Sequence, residues 1–245
     1  MDSRSQEEVP GEQSDRCAGD GGRRQAVPPV RPVYRADVGA LSRSLARAFV
    51  SDPVSAYLFP GAKRRRRRLE RYFRFQLKTA FLDKGVCYTT DDLTSAALFM
   101  PPQELARPTI HDVVSQLPAI FVLGRSLSRA MRLVQLLDLH HPKGPHYYLA
   151  TIGTVPEAQS KGLGAAVMAP VLRRCDDSRT PAYLEASTER SVAFYERYGF
   201  EVRRRVTIPG TDVRLWLMWR EPPQERYASR MEETRGSELG PAAPE

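Results

Sequence analysis

The chain switches between two hydrophobic periods, and the switch points mark its elements. Residues 30–35 form a short extended run after Pro28 and Pro29. From Asp37, a residue type that favours helix starts, Leu41, Leu45, Ala48 and Phe49 recur on one side, which predicts a helix to about Val50. Asp52-Pro53 stops it. A second helix follows over about 64–82, with Leu69, Tyr72, Phe73, Gln76, Leu77 and Ala80 as its inward stripe. The pattern then shortens to strands at 86–90 and 94–100, joined by a turn at Asp91-Asp92 and ended by Pro101-Pro102. Residues 110–139 read as largely helical, with interruptions near Pro118 and Gly124.

The second half repeats the alternation. Residues 147–155 are aromatic and β-branched, a strand closed by Pro156. A helix over 162–175 carries Pro170, which removes an internal bond and kinks it. A strand at 182–186 and a helix at 189–197 come next; Gly199 ends that helix and opens a strand to about Ile208. Residues 213–219 close the sheet across the Pro209-Gly210 turn. The order predicts one mixed α/β domain over 30–220, not a clean doubly wound fold. Tails at 1–29 and 221–245, rich in Gly, Ser, Glu and Pro, read as disordered.

Composition narrows the class. With 41% hydrophobic and 27% charged residues, the chain has the make-up of a soluble globular protein. No apolar run approaches the roughly 18 to 20 residues that span a bilayer, and the first 26 residues hold no apolar signal stretch. Cys17, Cys87 and Cys175 are scattered, which argues against disulfides or zinc and fits a reducing cytoplasm. The expectation is a cytoplasmic protein without membrane partner or metal, as monomer or homodimer.

The net charge of +8 is unevenly spread. Six acids meet four bases in 1–26, and six meet three in 221–245, which leaves +13 on 27–220. Such a domain attracts anions. The run from Lys63 to Arg68 lacks interleaved aromatics and opens an amphipathic helix, so it reads as a solvated helix start, and no nucleic-acid partner is expected. His111, His140, His141 and His146 lack metal-ligand spacing, and each reads as a satisfied surface or core residue.

The most informative segment is the turn between the 147–155 strand and the next helix, Gln159-Ser160-Lys161-Gly162-Leu163-Gly164-Ala165. Backbone N–H groups at a helix start have no internal partners, and with the helix dipole they favour an anion. Gly162 and Gly164 leave room for a pyrophosphate. The dinucleotide loop lacks its third Gly here, and the triphosphate loop fails because Lys161 precedes the Gly. A generic Gly-rich turn is the competing reading.

Downstream stand Tyr183-Leu184-Glu185-Ala186-Ser187 and then Phe194-Tyr195-Glu196-Arg197-Tyr198-Gly199-Phe200. With the loop, these resemble the GNAT superfamily of acyl-CoA-dependent N-acetyltransferases: residues 159–164 match its Q/R-x-x-G-x-G/A signature and residues 195–200 its Y-x-x-x-G-F. Within it, His141-Pro142-Lys143, the 148–153 strand and residues 194–197 are most similar to puromycin N-acetyltransferase and its actinobacterial relatives.

The resemblance implies a mixed, mostly antiparallel sheet with splayed central strands and helices on both faces. It implies acetyl-CoA as acyl donor, with Ile152, Gly153 and Thr154 offering backbone contacts to the pantetheine arm. Ser160, Lys161, Gly162, Leu163, Gly164 and Ala165 would hold the pyrophosphate. Gly153 within a strand also suggests a bulge or a close backbone approach. Thr188 stands where the family often has Asn, and its hydroxyl is the candidate replacement.

The chemistry is attack of a neutral amine on a thioester, which needs a base, an oxyanion contact and an acid. Glu185 lies between Leu184 and Ala186, and apolar surroundings disfavour its charged form, moving it towards useful base strength. The resemblance implies the same role, directly or through water; the competing reading is a charge facing solvent. Tyr195 matches the family's general acid. With a phenol near 10 and a thiol near 8.5, that transfer is uphill by about 1.5 units, or roughly 2 kcal/mol, unless desolvation strengthens the thiolate. The resemblance also places Phe49, Asp52, Tyr57 and Phe59 near the acceptor, a small-molecule amine. A non-catalytic acyl-CoA-binding module and an acetyltransferase of protein amines remain the alternatives.

Overall fold

The computed structural model describes residues 28–105 and 124–223. The elements there are β1 (Val30–Pro32), α1 (Val38–Ala48), α2 (Pro53–Leu58), α3 (Ala62–Gln76), β2 (Val86–Thr90), β3 (Ser95–Met100), α4 (Pro102–Leu105) and α5 (Leu127–His140). They continue with β4 (Tyr147–Thr154), α6 (Leu163–Asp177), β5 (Ala182–Ala186), α7 (Glu189–Glu196), β6 (Glu201–Thr207) and β7 (Arg214–Arg220). Among the described residues, no helix is long and apolar enough to cross a membrane.

Seven strands form one sheet in the order β1-β2-β3-β4-β5-β7-β6. Every neighbouring pair is antiparallel except β4 with β5. Period-2 alternation sends successive side chains to opposite faces, and each face has its own core. Ala97, Phe99, Leu149, Leu184, Ala186 and Met218 meet Val167, Met168 and Val171 of α6 on one side. Ala96 and Leu98 meet Leu41 and Leu45 of α1 with Leu69 and Phe73 of α3 on the other. A mixed, mostly antiparallel sheet with helices on both faces is therefore the fold.

The central pair is splayed. Strand β4 pairs with β5 only over Tyr147, Tyr148 and Leu149, opposite Ala182, Tyr183 and Leu184. Beyond that β5 keeps β7 as its partner, while β4 stays with β3. The parting coincides with a register shift in which Leu98 faces Thr151 and Phe99 faces Leu149, leaving Ala150 as the extra residue. An extra residue bends its strand, and here it turns the end of β4 away from β5.

Gly153 has a different reason from that bulge. A Cβ there would stand 2.9 Å from Phe49 Cε2, 3.0 Å from Leu45 Cδ2 and 3.1 Å from the Ala48 Cβ. The close approach is to α1, on the α1 side of the sheet. Gly153→Val is therefore expected to lower unfolding stability by about 1–3 kcal/mol through overpacking; denaturant titration of both proteins measures it.

Several local expectations shift for physical reasons. The first strand stops at Pro32, because Arg35–Asp37 forms a 3-10 turn. Asp37 does not cap α1 with its side chain; it accepts the Tyr34 N–H at 2.8 Å and pairs with Arg31 at 2.7 Å. The second helix ends in a single π turn, Leu77–Phe81. Thr94 belongs to the β2–β3 turn, where Asp92 accepts its N–H and its hydroxyl. Pro170 lies inside α6, which runs on to Asp177. Of the 110–139 stretch, Gly124–Ser126 is 3-10 and the remainder to His140 is α5; residues 110–123 lie outside the described residues, as do both tails apart from 28–29 and 221–223.

Candidate active site

The site is built where β4 and β5 part. After β4, Pro156–Ala158 makes a 3-10 turn, and the Gln159 side-chain amide donates to the Thr154 carbonyl at 3.1 Å. Gln159 thus folds the loop back onto its own strand. Ser160 and Gly162 both take left-handed conformations, with φ of 62° and 81°. For Gly162 this costs little, whereas for Ser160 it is strained backbone of the kind found at ligand-holding loops. The first intrahelical donor of α6 is Ala166, bonded to the Gly162 carbonyl at 3.0 Å. The N–H groups of Leu163, Gly164 and Ala165 therefore project from the helix start.

That loop fits a pyrophosphate: it has projecting N–H groups, the positive end of a 15-residue helix, and exposed Lys161 beside it. It also gains a cation that sequence reading missed, since Arg190 at the start of α7 reaches the Ser160 hydroxyl at 3.5 Å. Gly164 has a packing reason: a Cβ there would meet Phe194 Cζ at 3.4 Å and Ile152 Cδ1 at 3.8 Å. Thr188 is engaged as the N-cap of α7, accepting the Ser191 N–H at 3.1 Å and meeting the Ser191 hydroxyl at 2.7 Å. Ile152, Gly153 and Thr154 lie on the part of β4 that has left β5.

Glu185 sits on β5 at that same parting. Leu184 and Ala186 belong to the α6-side core, so Tyr183 and Glu185 point to the other face. Glu185 Oε2 accepts the Tyr148 hydroxyl at 2.8 Å. Burial pushes the Glu185 carboxyl up to about 7, against the opposing pull of the Tyr148 and Tyr183 hydroxyls. Tyr183 stands close enough for that pull, yet its hydroxyl and Glu185 Oε1 are both buried without a bond of proper geometry. Such orphaned polar atoms are costly, and a water or a substrate group between them relieves both.

Tyr195 is 7% exposed, packed edge-on against Phe194 and Phe200. Burial lifts its phenol well above the ordinary value, helped by the negative charges of Asp52 and Glu185. Tyr195 thus lies within electrostatic reach of both carboxylates. Asp52 caps α2 by accepting the Ser55 N–H at 2.8 Å, and its other oxygen accepts the Ser187 hydroxyl. That bond fastens the start of α2 to the loop after β5.

The proposed acceptor residues separate. Asp52 joins the site. Phe49 packs on Phe73 at 5.4 Å and over Gly153. Tyr57 crosses to α5, donating to the Arg129 carbonyl at 3.3 Å. Phe59 is 0% exposed, enclosed by Tyr72 and Arg68, and offers no surface to a bound acceptor. Its apolar character reflects the core beneath the α2–α3 wall.

Histidines that the spacing kept apart come together. His146 Nδ1 lies 2.7 Å from the Gly144 carbonyl, and its Nε2 lies 3.2 Å from His141 Nε2. Since Nδ1 must donate to a carbonyl, His146 Nε2 is the acceptor and His141 the donor. His141 sets its ring edge-on to Tyr148 and Tyr183, at 5.3 and 5.1 Å, so the pair buttresses the tyrosines around Glu185. Among the described residues, no three His, Cys, Asp or Glu side chains converge as a metal site.

A hollow of about 430 Å³ lies elsewhere, between α6, the end of α7 and β7, with Arg173, Asp176, Arg197 and Arg220 in its wall. Neither Glu185, Tyr195 nor Asp52 borders it, so the chemistry does not belong there.

Known proteins resemble part of this sequence and share its fold. Residues 103–200 match the model of the Acetyltransferase (GNAT) family. An uncharacterized N-acetyltransferase of Schizosaccharomyces pombe is 31% identical over 86 residues, 34% of this chain and 35% of its own, so the match spans about a third of that relative's length. The structure of histone acetyltransferase HPA2 and related acetyltransferase from Corynebacterium glutamicum shares the fold with a TM-score of 0.60 at 22% identity, covering 81% of this chain and 98% of the other. An N-acetyltransferase from Staphylococcus aureus does so at 0.52 and 11% identity, covering 78% and 99%. Residues 103–200 are thus similar to the GNAT acetyltransferase family, and the chain shares its fold with solved structures that carry acetyltransferase names.

Proposed function

We propose that this protein moves an acetyl group from acetyl-CoA to the primary amine of a small molecule. The observation that carries the reading is Glu185, a buried carboxyl held near pH 7 at the parting of β4 and β5, with Tyr195 in electrostatic reach. A general base works best when its pKa is close to the operating pH, and desolvation has moved this one there.

Acetyl-CoA supplies the activated thioester, and the chain's own residues do the rest. The 160–165 loop and the freed edge of β4 bind and orient it. Glu185 takes the proton that the attacking amine loses, through Oε1 or a water beside Tyr183. Tyr195 keeps its proton until the sulfur departs and donates a hydrogen bond there. Burial raises phenol and thiol together: Tyr195 is lifted well above its ordinary value, and Cys175, in the core that Tyr195 joins, is pushed up to about 12. The phenol therefore serves the departing thiolate as a hydrogen-bond donor, with the transfer itself still uphill.

Asp52 gives the acceptor's amine a carboxylate, and Tyr148 and Tyr183, the tyrosines beside Glu185, give it aromatic walls. That combination suits a cationic, amphipathic amine, such as an aminonucleoside antibiotic of the puromycin type. Release of free CoA thiol across a panel of amines, puromycin included, tests the reading. Release that requires one class of small amine is the expected result; release only with peptide or protein amines would move the acceptor to macromolecules, and none with any amine would leave a binding module.

A further inference from the structure

We infer that the outer face of α3 is a second anion site, built for a small molecule bearing two or more phosphates. The run Lys63 to Arg68 is not uniform once folded. Arg65 turns inward and is spent on structure, donating to the carbonyls of Phe59 at 2.8 Å, Val50 at 3.0 Å and Pro60 at 3.4 Å. Arg64, Arg67, Arg68 and Arg71 follow the three- and four-residue spacing that places side chains on one helix face. They alone line a hollow of about 390 Å³.

Among the described residues none of the four has an acidic partner, and the one acid on that stretch of α3, Glu70, is paired with Arg74 at 3.0 Å. Arg68 is held in place by lying over the Phe59 ring at 5.8 Å. This arrangement opposes folding twice over. Like charges at these spacings repel, and α3 has basic residues but no acid in its first turn, where the helix dipole favours the opposite sign. A bound anion removes both penalties.

Phosphate is the group that fits. Guanidinium forks match its oxygens in pairs, and each phosphate monoester carries nearly two charges near pH 7. Two or three phosphates on one molecule therefore neutralise four arginines that would otherwise need four separate carboxylates. The hollow is of the size of small-ligand pockets. No aromatic side chain lines it for base stacking, and α3 has no exposed large apolar residue to enter a bilayer. Both points favour a compact soluble ligand over a nucleic-acid strand or a membrane. No residue of the 159–165 loop borders it, so the site is separate from that of acetyl-CoA.

The test is calorimetric titration of the full chain with sodium tripolyphosphate, in saturating CoA so that the loop is already filled. One-to-one binding is expected, weakening with salt and falling at least about tenfold in Arg67→Ala/Arg71→Ala. Without anion, that variant should melt at the same temperature as the wild type or higher, because repulsion is relieved, and its thiol-release activity should be unchanged. A parallel titration with ATP separates the sources: equal affinity assigns the site to the phosphates alone, tighter binding to a nucleotide. Equal binding by wild type and variant would overturn the inference. So would response to a single-stranded oligonucleotide but not to tripolyphosphate, which would make this face a nucleic-acid surface.

Discussion

Glu185→Gln should lower kcat/KM for amine acetylation by between about 100- and 10,000-fold at pH 7.5, the usual range for losing a positioned base. Gln keeps the shape and can still accept the Tyr148 hydroxyl that lies 2.8 Å from the carboxylate. The substitution therefore removes the proton acceptor and little else, and acetyl-CoA binding should stay within a few-fold of wild type. Stability should move the other way. The wild-type carboxyl rises from 4.5 to about 7 on folding, so the folded state holds a proton that the unfolded state has lost between those values. Wild-type stability consequently falls as pH rises through that window, by about 3 kcal/mol in full above pH 7. The variant has no such dependence. It should melt near the wild-type temperature at pH 5 and clearly above it at pH 8, and scanning calorimetry at the two values checks this. A site that is costly to the fold and necessary for the rate is what a desolvated base produces.

Tyr195→Phe is the second large effect. The phenol is enclosed by Phe194 and Phe200, and Phe fills the same space, so the variant should fold normally. What it loses is a donor at the departing sulfur. A fall in kcat of about 10- to 1,000-fold is expected, the scale of removing one hydrogen bond to developing charge, with the KM for acetyl-CoA nearly unchanged. The defect should shrink with an acyl donor whose thiol is more acidic, because that leaving group needs less help. Comparing acetyl-CoA with an activated thioester in wild type and variant measures it; equal losses with both donors would assign Tyr195 to packing.

Much of this site was legible because its parts are local. The strand at Ala182–Ala186 follows from a short apolar run, and Glu185 within it declares its environment through Leu184 and Ala186. The 159–165 loop declares itself through Pro156 and two glycines ahead of a helix. What stayed hidden depends on contacts between distant segments. Tyr148 reaches Glu185 across 37 positions, and only the parallel register of β4 on β5 brings them together. Tyr183 was closer to view, since strand alternation puts it on the same face as Glu185. Ser187 meets Asp52 over 135 positions, which no periodicity encodes. His141 and His146 pair because the chain folds back between α5 and β4, a loop geometry with no regular spacing. Phe59 misled for the opposite reason: an aromatic near a wall reads alike whether it faces the ligand or the core, and burial alone separates the two.

The arginine run shows the same limit in another form. As sequence it is a uniform block of charge. Folded, the helix turns Arg65 inward to hold the α2–α3 connection and sets Arg64, Arg67 and Arg68 on an open face that Arg71, one turn on, completes.

The most direct measurement is the pH dependence of kcat/KM with two acceptors whose amines differ in pKa by a unit or more. An amine's own titration moves the profile with the acceptor, whereas an enzyme group stays put. The expected profile has one inflection that stays near 7 with both acceptors, from Glu185, and a second that follows the amine; Glu185→Gln should abolish the first alone. A wild-type profile whose only inflection tracks the amine, unchanged in the variant, would contradict Glu185 as the base.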